Sequence, residues 1–190
     1  MTLFAELGLR YPIIQAPMAG VQDSALVLAV TRAGALGSLP AAMLNLATLH
    51  EELSRLAASG GPFNINFFCH RQREPDPAEE HRWQQALAPF YAEFGVSTDA
   101  VSNGPSRAPF NAEHAAILAE FNPAVASFHF GLPAPELLAR VKATGAKVFA
   151  SATTVAEAKW LARHGADAII AQGLEAGGHR GHFLNQDLSL

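Results

Sequence analysis

The stretch Ala166-Asp167-Ala168-Ile169-Ile170-Ala171-Gln172-Gly173-Leu174-Glu175-Ala176-Gly177-Gly178-His179-Arg180-Gly181 decides how this chain is read. Its first six residues are mostly apolar and read as a buried parallel strand. Glycines and a histidine follow at once, so they sit just past the strand's carboxyl end. Open α/β sheets and α/β barrels carry their ligand sites at that end. Paired glycines let a flat or phosphorylated ligand approach the backbone closely. A histidine on such a turn is placed for proton transfer near neutral pH. A tight turn with a solvated histidine is the plainer alternative, and the local pattern weighs the two equally.

Outward from this stretch, strand-like and helix-like segments alternate. Strands are expected over 13–16, 35–39, 63–67, 124–128, 147–151 and 167–171. Helices are expected over 24–33, 46–58, 77–94, 112–120, 136–143 and 155–164. Ser24 is a candidate N-cap and Gly34 a candidate residue just past its helix. Repeated strand–helix alternation implies right-handed crossovers and a parallel sheet. Six strand–helix starts leave two architectures open. One is an open doubly wound sheet. The other is a (β/α)8 barrel cut short, because a closed barrel needs eight strands and typically ~250 residues. The tail after Phe183 stops mid-topology, so the chain is expected to be the N-terminal part of a longer single domain. An open sheet edge would be association-prone, which allows for a homo-oligomer. The segment 70–111 breaks the alternation, with five prolines around one long helix. It reads either as a surface excursion or as a lid over the catalytic face.

Composition narrows the function classes. The chain has 190 residues, 49% of them hydrophobic and only 16% charged, which suits one globular core with strands buried on both faces. A net charge of -4 without a Lys/Arg cluster argues against nucleic acid as a partner. The apolar runs are too short to cross a bilayer, and no basic-then-apolar leader opens the chain. A single cysteine excludes an intrachain disulfide and fits a reducing, cytoplasmic setting.

Residues just after the strands converge on one face of a barrel. Here they include Met18, Asn66, His129, Ser151, Gln172 and His179: amides, hydroxyls and apolar groups with little charge. Such a set suits a planar neutral heterocycle better than a metal. Asn66 and Gln172 could meet donors and acceptors along its edge, and Met18 could cover a face. Each has a plain structural alternative: loop hydrogen bonds for Asn66 and Gln172, core packing for Met18, a strand end for Ser151. Gly177 and Gly178 could serve turn geometry alone. The face of Gln15 is left open. His182 makes a His-x-x-His pair with His179, but the surrounding glycines favour close ligand approach over a metal site. His70, His81, His114 and His164 read as surface residues, and Cys69 lacks an activating base.

Taken in order, Tyr11-Pro12-Ile13-Ile14-Gln15-Ala16-Pro17-Met18-Ala19-Gly20, Phe63-Asn64-Ile65-Asn66-Phe67-Phe68, Ser127-Phe128-His129-Phe130-Gly131, Ala150-Ser151-Ala152-Thr153-Thr154 and the glycine run closely resemble the FMN-dependent nitronate monooxygenases, formerly 2-nitropropane dioxygenases. The resemblance spans essentially the whole chain. It implies a TIM-type barrel and oxidation of alkyl nitronates and nitroalkanes with O2 to carbonyl compounds and nitrite. It also implies FMN contacts from Asn66 and Gln172, to which Gly177 and Gly178 are added by their close backbone approach, and Met18 and Ser151 by their place at the strand ends. By the same resemblance His179 is the base that removes the α-proton. His129 is a second candidate by position: it ends a strand on the same face and could orient substrate or contact flavin, or be an aromatic-flanked core histidine bonded to backbone. A flavin-dependent enoyl reductase of the same barrel type is the nearest alternative. An inactive, flavin-free fragment is the other.

Overall fold

Short β-prone runs alternating with amphipathic helices assemble here into one parallel sheet. The computed structural model describes residues 2–72, 76–97 and 107–185. The chain divides into two compact units: residues 1–70 with 108–190, and residues 71–107. In the first unit the strands are β1 (Gly37–Pro40), β2 (Phe63–Phe68), β3 (Val125–His129), β4 (Lys147–Ala152) and β5 (Ala168–Ala171). Every pairing is parallel, and the spatial order is β1-β2-β3-β4-β5. That order decides between the two architectures. A doubly wound sheet begins in the middle and reverses, so spatial and chain order differ. A sheet that adds each strand to the same edge winds in the barrel sense.

The expected first strand is a correction. Residues 13–16 contribute only a parallel bridge between Ile14 and Leu36. Two rungs form, from Leu36 N to Ile13 O and from Gln15 N to Leu36 O. The N–H of Ser38, which a third rung would use, instead donates to Gln15 Oε1 at 3.0 Å. Pro17 has no N–H with which to continue a ladder. Described strands therefore number five rather than six.

The helices follow from their caps. In the first unit they are α1 (Leu3–Glu6), α2 (Ser24–Ala33), α3 (Leu46–Ala58), α5 (Ala112–Phe121), α6 (Pro135–Ala143) and α7 (Val155–Arg163). Asp23, not Ser24, caps α2: its carboxylate accepts from Ala25 N at 2.8 Å. Ser24 is already helical and buried, and its N–H donates to Glu52 Oε2 at 2.7 Å. Gly34 closes α2 at φ +94°, a left-handed backbone that favours glycine. His114 is a second correction. It is buried, completes the capping box of α5 with Asn111, and stacks on Phe110 at 5.9 Å between ring centroids. His70 is likewise half-buried rather than a surface residue.

Period-2 alternation gives the sheet two chemically different faces. Leu39, Phe63, Ile65, Phe67, Ala126, Phe128 and Val148 pack with Leu49, Leu53 and Leu56 of α3, Leu118 of α5 and Val141 of α6 in one apolar core. The other face begins apolar, where Leu36, Val125 and Phe149 meet Leu3, Leu7 and Leu9 beside α1. It also carries the buried polar residues Ser38, Asn64, Asn66, Ser127 and Ser151. These pair across strands: Asn64 Nδ2 donates to Ser38 Oγ at 2.9 Å and Asn66 Nδ2 to Ser127 Oγ at 3.0 Å.

The second unit holds α4 (Pro77–Glu93), capped by Asp76, with Trp83 and Phe90 exposed. Parts of the expected excursion at 73–75 and 98–106, and the tail 186–190, lie outside the described residues.

Candidate active site

The carboxyl ends of β2, β3 and β5 bring three segments together. β2 ends on Phe68 and β3 on His129, which are paired in register. Past β5 comes the turn Gln172–Gly181. Its geometry is set by a small set of hydrogen bonds. Gln172 Nε2 donates to the His179 carbonyl at 2.9 Å, and Gln172 Oε1 accepts from Gly181 N at 2.7 Å. His129 Nε2 lies 2.9 Å from the same carbonyl. A carbonyl only accepts, so Nε2 carries the proton of neutral His129. Burial pushes the His129 imidazole below its ordinary value. The bond to the His179 carbonyl opposes that shift, and the nearby His179 ring adds to it. His129 is therefore neutral at pH 7.

The His179 ring is exposed and stands edge-on to two phenylalanines, 5.7 Å from Phe68 and 6.1 Å from Phe130 between centroids. Phe130 also meets His129 at 4.5 Å and Phe68 at 5.1 Å. Phe130 holds φ +67°, a left-handed backbone that costs a bulky residue on the order of 1–2 kcal/mol. Its contacts with Phe68 and His129 hold the ring there despite that cost. The result is a solvent-reachable imidazole on an apolar shelf, its main chain fixed from two sides. Such a group can accept a proton from a small organic molecule resting on the shelf.

The other expected site residues are placed as follows. Asn66 lies within β2, two residues before Phe68 on the same face, with its Nδ2 committed to Ser127. Ser151 is on that face of β4 and buried. Gly177 and Gly178 form the exposed tip of the turn, Gly178 at φ +79°. A Cβ added at either would meet nothing within 4 Å, so the backbone there is open to a close-approaching group. A cavity of about 210 Å³ beside the turn is lined by Thr153, Gln172, Gly173, Leu174, Gly178 and Arg180. Whole-ligand sites run to ~300–1,000 Å³, so this one would take part of a larger molecule. Met18 is in the loop after Gln15, 43% exposed, with its N–H donated to Gln22 Oε1 at 2.9 Å. No hydrogen bond or ring contact among the described residues ties Met18 to His179. His182 directs Nδ1 to the Arg180 carbonyl at 3.2 Å. Burial pushes the Cys69 thiol up, which leaves it unreactive.

Sequence reading missed four contributors. Phe68 shares the parity of Asn66, which could have placed it on the site face. Phe130 sits in a quoted motif but has no chemical signature. Gln22 fixes the loop before it by donating to the Ser38 carbonyl at 2.7 Å, which also settles Gln15 as its hydrogen-bonded neighbour. Glu157 closes the Thr154-x-x-Glu157 start of α7, a local helix-start signal, but its bond to a segment 26 residues away has none.

Fold and site together define a class: a parallel α/β sheet of barrel winding, with a glycine–histidine turn at its carboxyl end. The chain belongs to the nitronate monooxygenase family, whose profile matches residues 2–190. It is 44% identical over 184 residues to the nitronate monooxygenase of Paraburkholderia phytofirmans, covering 95% of this chain and 50% of that protein. Identity to the nitronate monooxygenase of Pseudomonas aeruginosa is 41% over 189 residues, covering 93% and 51%. Among solved structures, nitroalkane oxidase from Streptomyces ansochromogenes superposes with a TM-score of 0.79 at 35% identity, covering 94% of this chain and 50% of that one. FabK from Thermotoga maritima shares the fold, with a TM-score of 0.66 at 24% identity over 96% of this chain and 47% of that one. The chain spans about half the length of the curated relatives it matches.

Proposed function

We propose that this site serves a flavin-dependent nitronate monooxygenase, which oxidises alkyl nitronates and nitroalkanes with O2 to carbonyl compounds and nitrite. The observation that carries the reading is the His179 turn: an exposed imidazole over Phe68 and Phe130, its carbonyl held by His129 and Gln172. FMN would be held by Met18, Asn66, Ser151, Gln172, Gly177 and Gly178. The open backbone at Gly177 and Gly178 and the uncharged amide and hydroxyl groups fit a planar heterocycle. When bound, the flavin supplies the electron-accepting chemistry.

The chain's own residues supply positioning and one proton transfer. Neutral His179 takes the α-proton of a nitroalkane on a ring nitrogen, leaving the nitronate, whose charge spreads onto the nitro oxygens. Phe68 and Phe130 shield one side of the imidazole from water. His129 has committed its only N–H to the His179 carbonyl, so it orients the base and has no donor left for a nitro group.

The test is His179→Asn in the FMN-loaded enzyme. Turnover of neutral nitroalkane should fall by ~10²–10⁴ while preformed nitronate, already deprotonated, is largely spared. Equal losses at full flavin occupancy would remove the base role. Oxidation of NAD(P)H with an enoyl substrate would favour the reductase reading. An absorption spectrum of the purified 190-residue chain shows whether it takes up flavin by itself.

A further inference from the structure

We propose that Glu157 is a positioning residue for the reaction: from the first turn of α7 it pins the far end of the turn that carries His179. This rests on the base reading of His179 above.

Glu157 is 1% exposed. A buried carboxylate is costly unless its oxygens are fully hydrogen-bonded, and here four donors converge on it. Oε2 accepts from Thr153 N and Thr153 Oγ1, both at 2.8 Å. Oε1 accepts from Phe183 N at 2.7 Å and Leu184 N at 3.3 Å. The two oxygens have different reach. Oε2 serves the segment leading into its own helix, which any local cap would do. Oε1 holds a segment 26 and 27 residues further along the chain, which no local cap requires. Phe183 is docked as well, its ring 5.3 Å from Trp160.

The turn is thus tied at both ends. Gln172 closes the near part onto His179 and Gly181. Two residues beyond Gly181, Glu157 fixes the exit. Between the ties, residues 173–179 are exposed, and the backbone bond Ala176 N to Gly173 O is long at 3.3 Å. With so little structure of its own, the turn takes its position from its anchors. A loosened exit frees Gly181, and with it the register of His179 over Phe68 and Phe130.

The experiment uses Glu157→Gln, which keeps the shape but leaves too few acceptor sites for four donors. Amide exchange on the chain should speed up by about tenfold or more at Phe183 and Leu184, the opening cost of one charge-assisted bond. Gly181 should speed up with them although its own acceptor, Gln172, is untouched. In the FMN-loaded enzyme, neutral nitroalkane turnover should drop about tenfold while nitronate turnover stays within about twofold. Glu157→Asp, which keeps the charge but shortens the reach, should fall between. Faster exchange confined to Thr153, Phe183 and Leu184, with the substrate ratio unchanged, would reduce Glu157 to a helix cap and overturn the proposal. Equal losses on both substrates would overturn it too. If His179→Asn itself spares neutral nitroalkane, the base reading fails and the Gly181 exchange arm alone decides whether the pin exists. If Glu157→Gln does not fold, the wild-type chain decides: Gly181 and Phe183 must open in one shared event, with protection equal within about threefold. Independent opening refutes the pin.

Discussion

Three glycines of the His179 turn separate turn geometry from ligand approach when each is replaced by alanine. At Gly177 an added Cβ meets nothing within 4 Å, and the backbone is not left-handed. Gly177→Ala should therefore leave the flavin-free chain within about 0.5 kcal/mol of wild type. Gly178 has the same open surroundings but φ +79°. Gly178→Ala should lose about 1–2 kcal/mol to backbone strain alone. At Gly181 the Cβ would lie 2.5 Å from His129 Cε1 and 2.8 Å from Nδ1. The ring cannot slip away freely, because Phe68 and Phe130 flank it and Nε2 is bonded. Crowding of about 1–3 kcal/mol adds to a lost hydrogen bond of about 1 kcal/mol, so Gly181→Ala should cost about 2–4 kcal/mol. Denaturant unfolding of the three flavin-free variants reads these differences directly. An FMN fluorescence titration in the flavin-binding enzyme supplies the second half. Gly177→Ala should weaken FMN binding despite unchanged stability, since its methyl has nothing in the chain to meet and only a ligand can feel it. Unchanged FMN affinity in that variant would refute flavin approach at the turn tip. Unchanged stability of Gly181→Ala would refute the His129 placement.

Acidification should destabilise the chain in two windows, measured as unfolding free energy against pH. Burial holds His114 below its ordinary value against the opposing Glu113, and His129 is lowered as described. Their unfolded forms bind protons first, so stability falls as pH drops below about 6.5 and continues to fall through the folded values. Burial raises Glu157, but the bonds from Phe183, Thr153 and Leu184 outweigh it and hold the group below the usual carboxylate range. Its contribution is complete above about pH 4.3 and is lost as pH falls through the depressed folded value; Glu157→Gln should abolish that second window. Leu53→Ala, at a fully buried α3 position, should cost about 2–5 kcal/mol in chemical denaturation, without selectivity between substrates. Asn66→Ala should cost about 1–3 kcal/mol by removing the donor to the buried Ser127 hydroxyl, which keeps only a long 3.5 Å bond to the Ile65 carbonyl, with lower FMN affinity if Asn66 also contacts the flavin.

What the sequence made legible was whatever local chemistry dictates. Alternation located every helix of the first unit except the short α1 to within a residue or two. The apolar run 166–171 found β5, although that strand is half-exposed rather than buried. The segment 13–16 misled because its apolar alternation is real, yet Gln15 uses its side chain where a strand would use its backbone. His114 misled because histidine in a polar-looking stretch reads as surface. Only the tertiary placement of Phe67 and Phe110 turns it inward. In the site, the glycine–histidine turn was visible because glycine spacing is a local constraint. Glu157 and Phe130 were not, because one acts across 26 residues and the other through its backbone angle and ring contacts.

The two histidines of the site illustrate how placement divides labour between chemically identical groups. Both lie at the same sheet end with rings on the same phenylalanines. His129 ends a strand, so its main chain is immobile and its ring is pressed inward. Burial keeps it neutral, and the carbonyl of His179 fixes its tautomer. A group so constrained is a reliable donor and a poor base, because taking a proton would put charge where burial opposes it. His179 sits on a turn whose own bonds are few, so its ring reaches solvent. The freedom that would suit it to the proposed proton transfer would also blur its position. The hydrogen bonds from Gln172 and His129 to its carbonyl remove that freedom from the main chain while leaving the imidazole nitrogens available. If His179 is the base, as proposed above, fixing it by its backbone rather than by its ring lets one residue be both positioned and reactive.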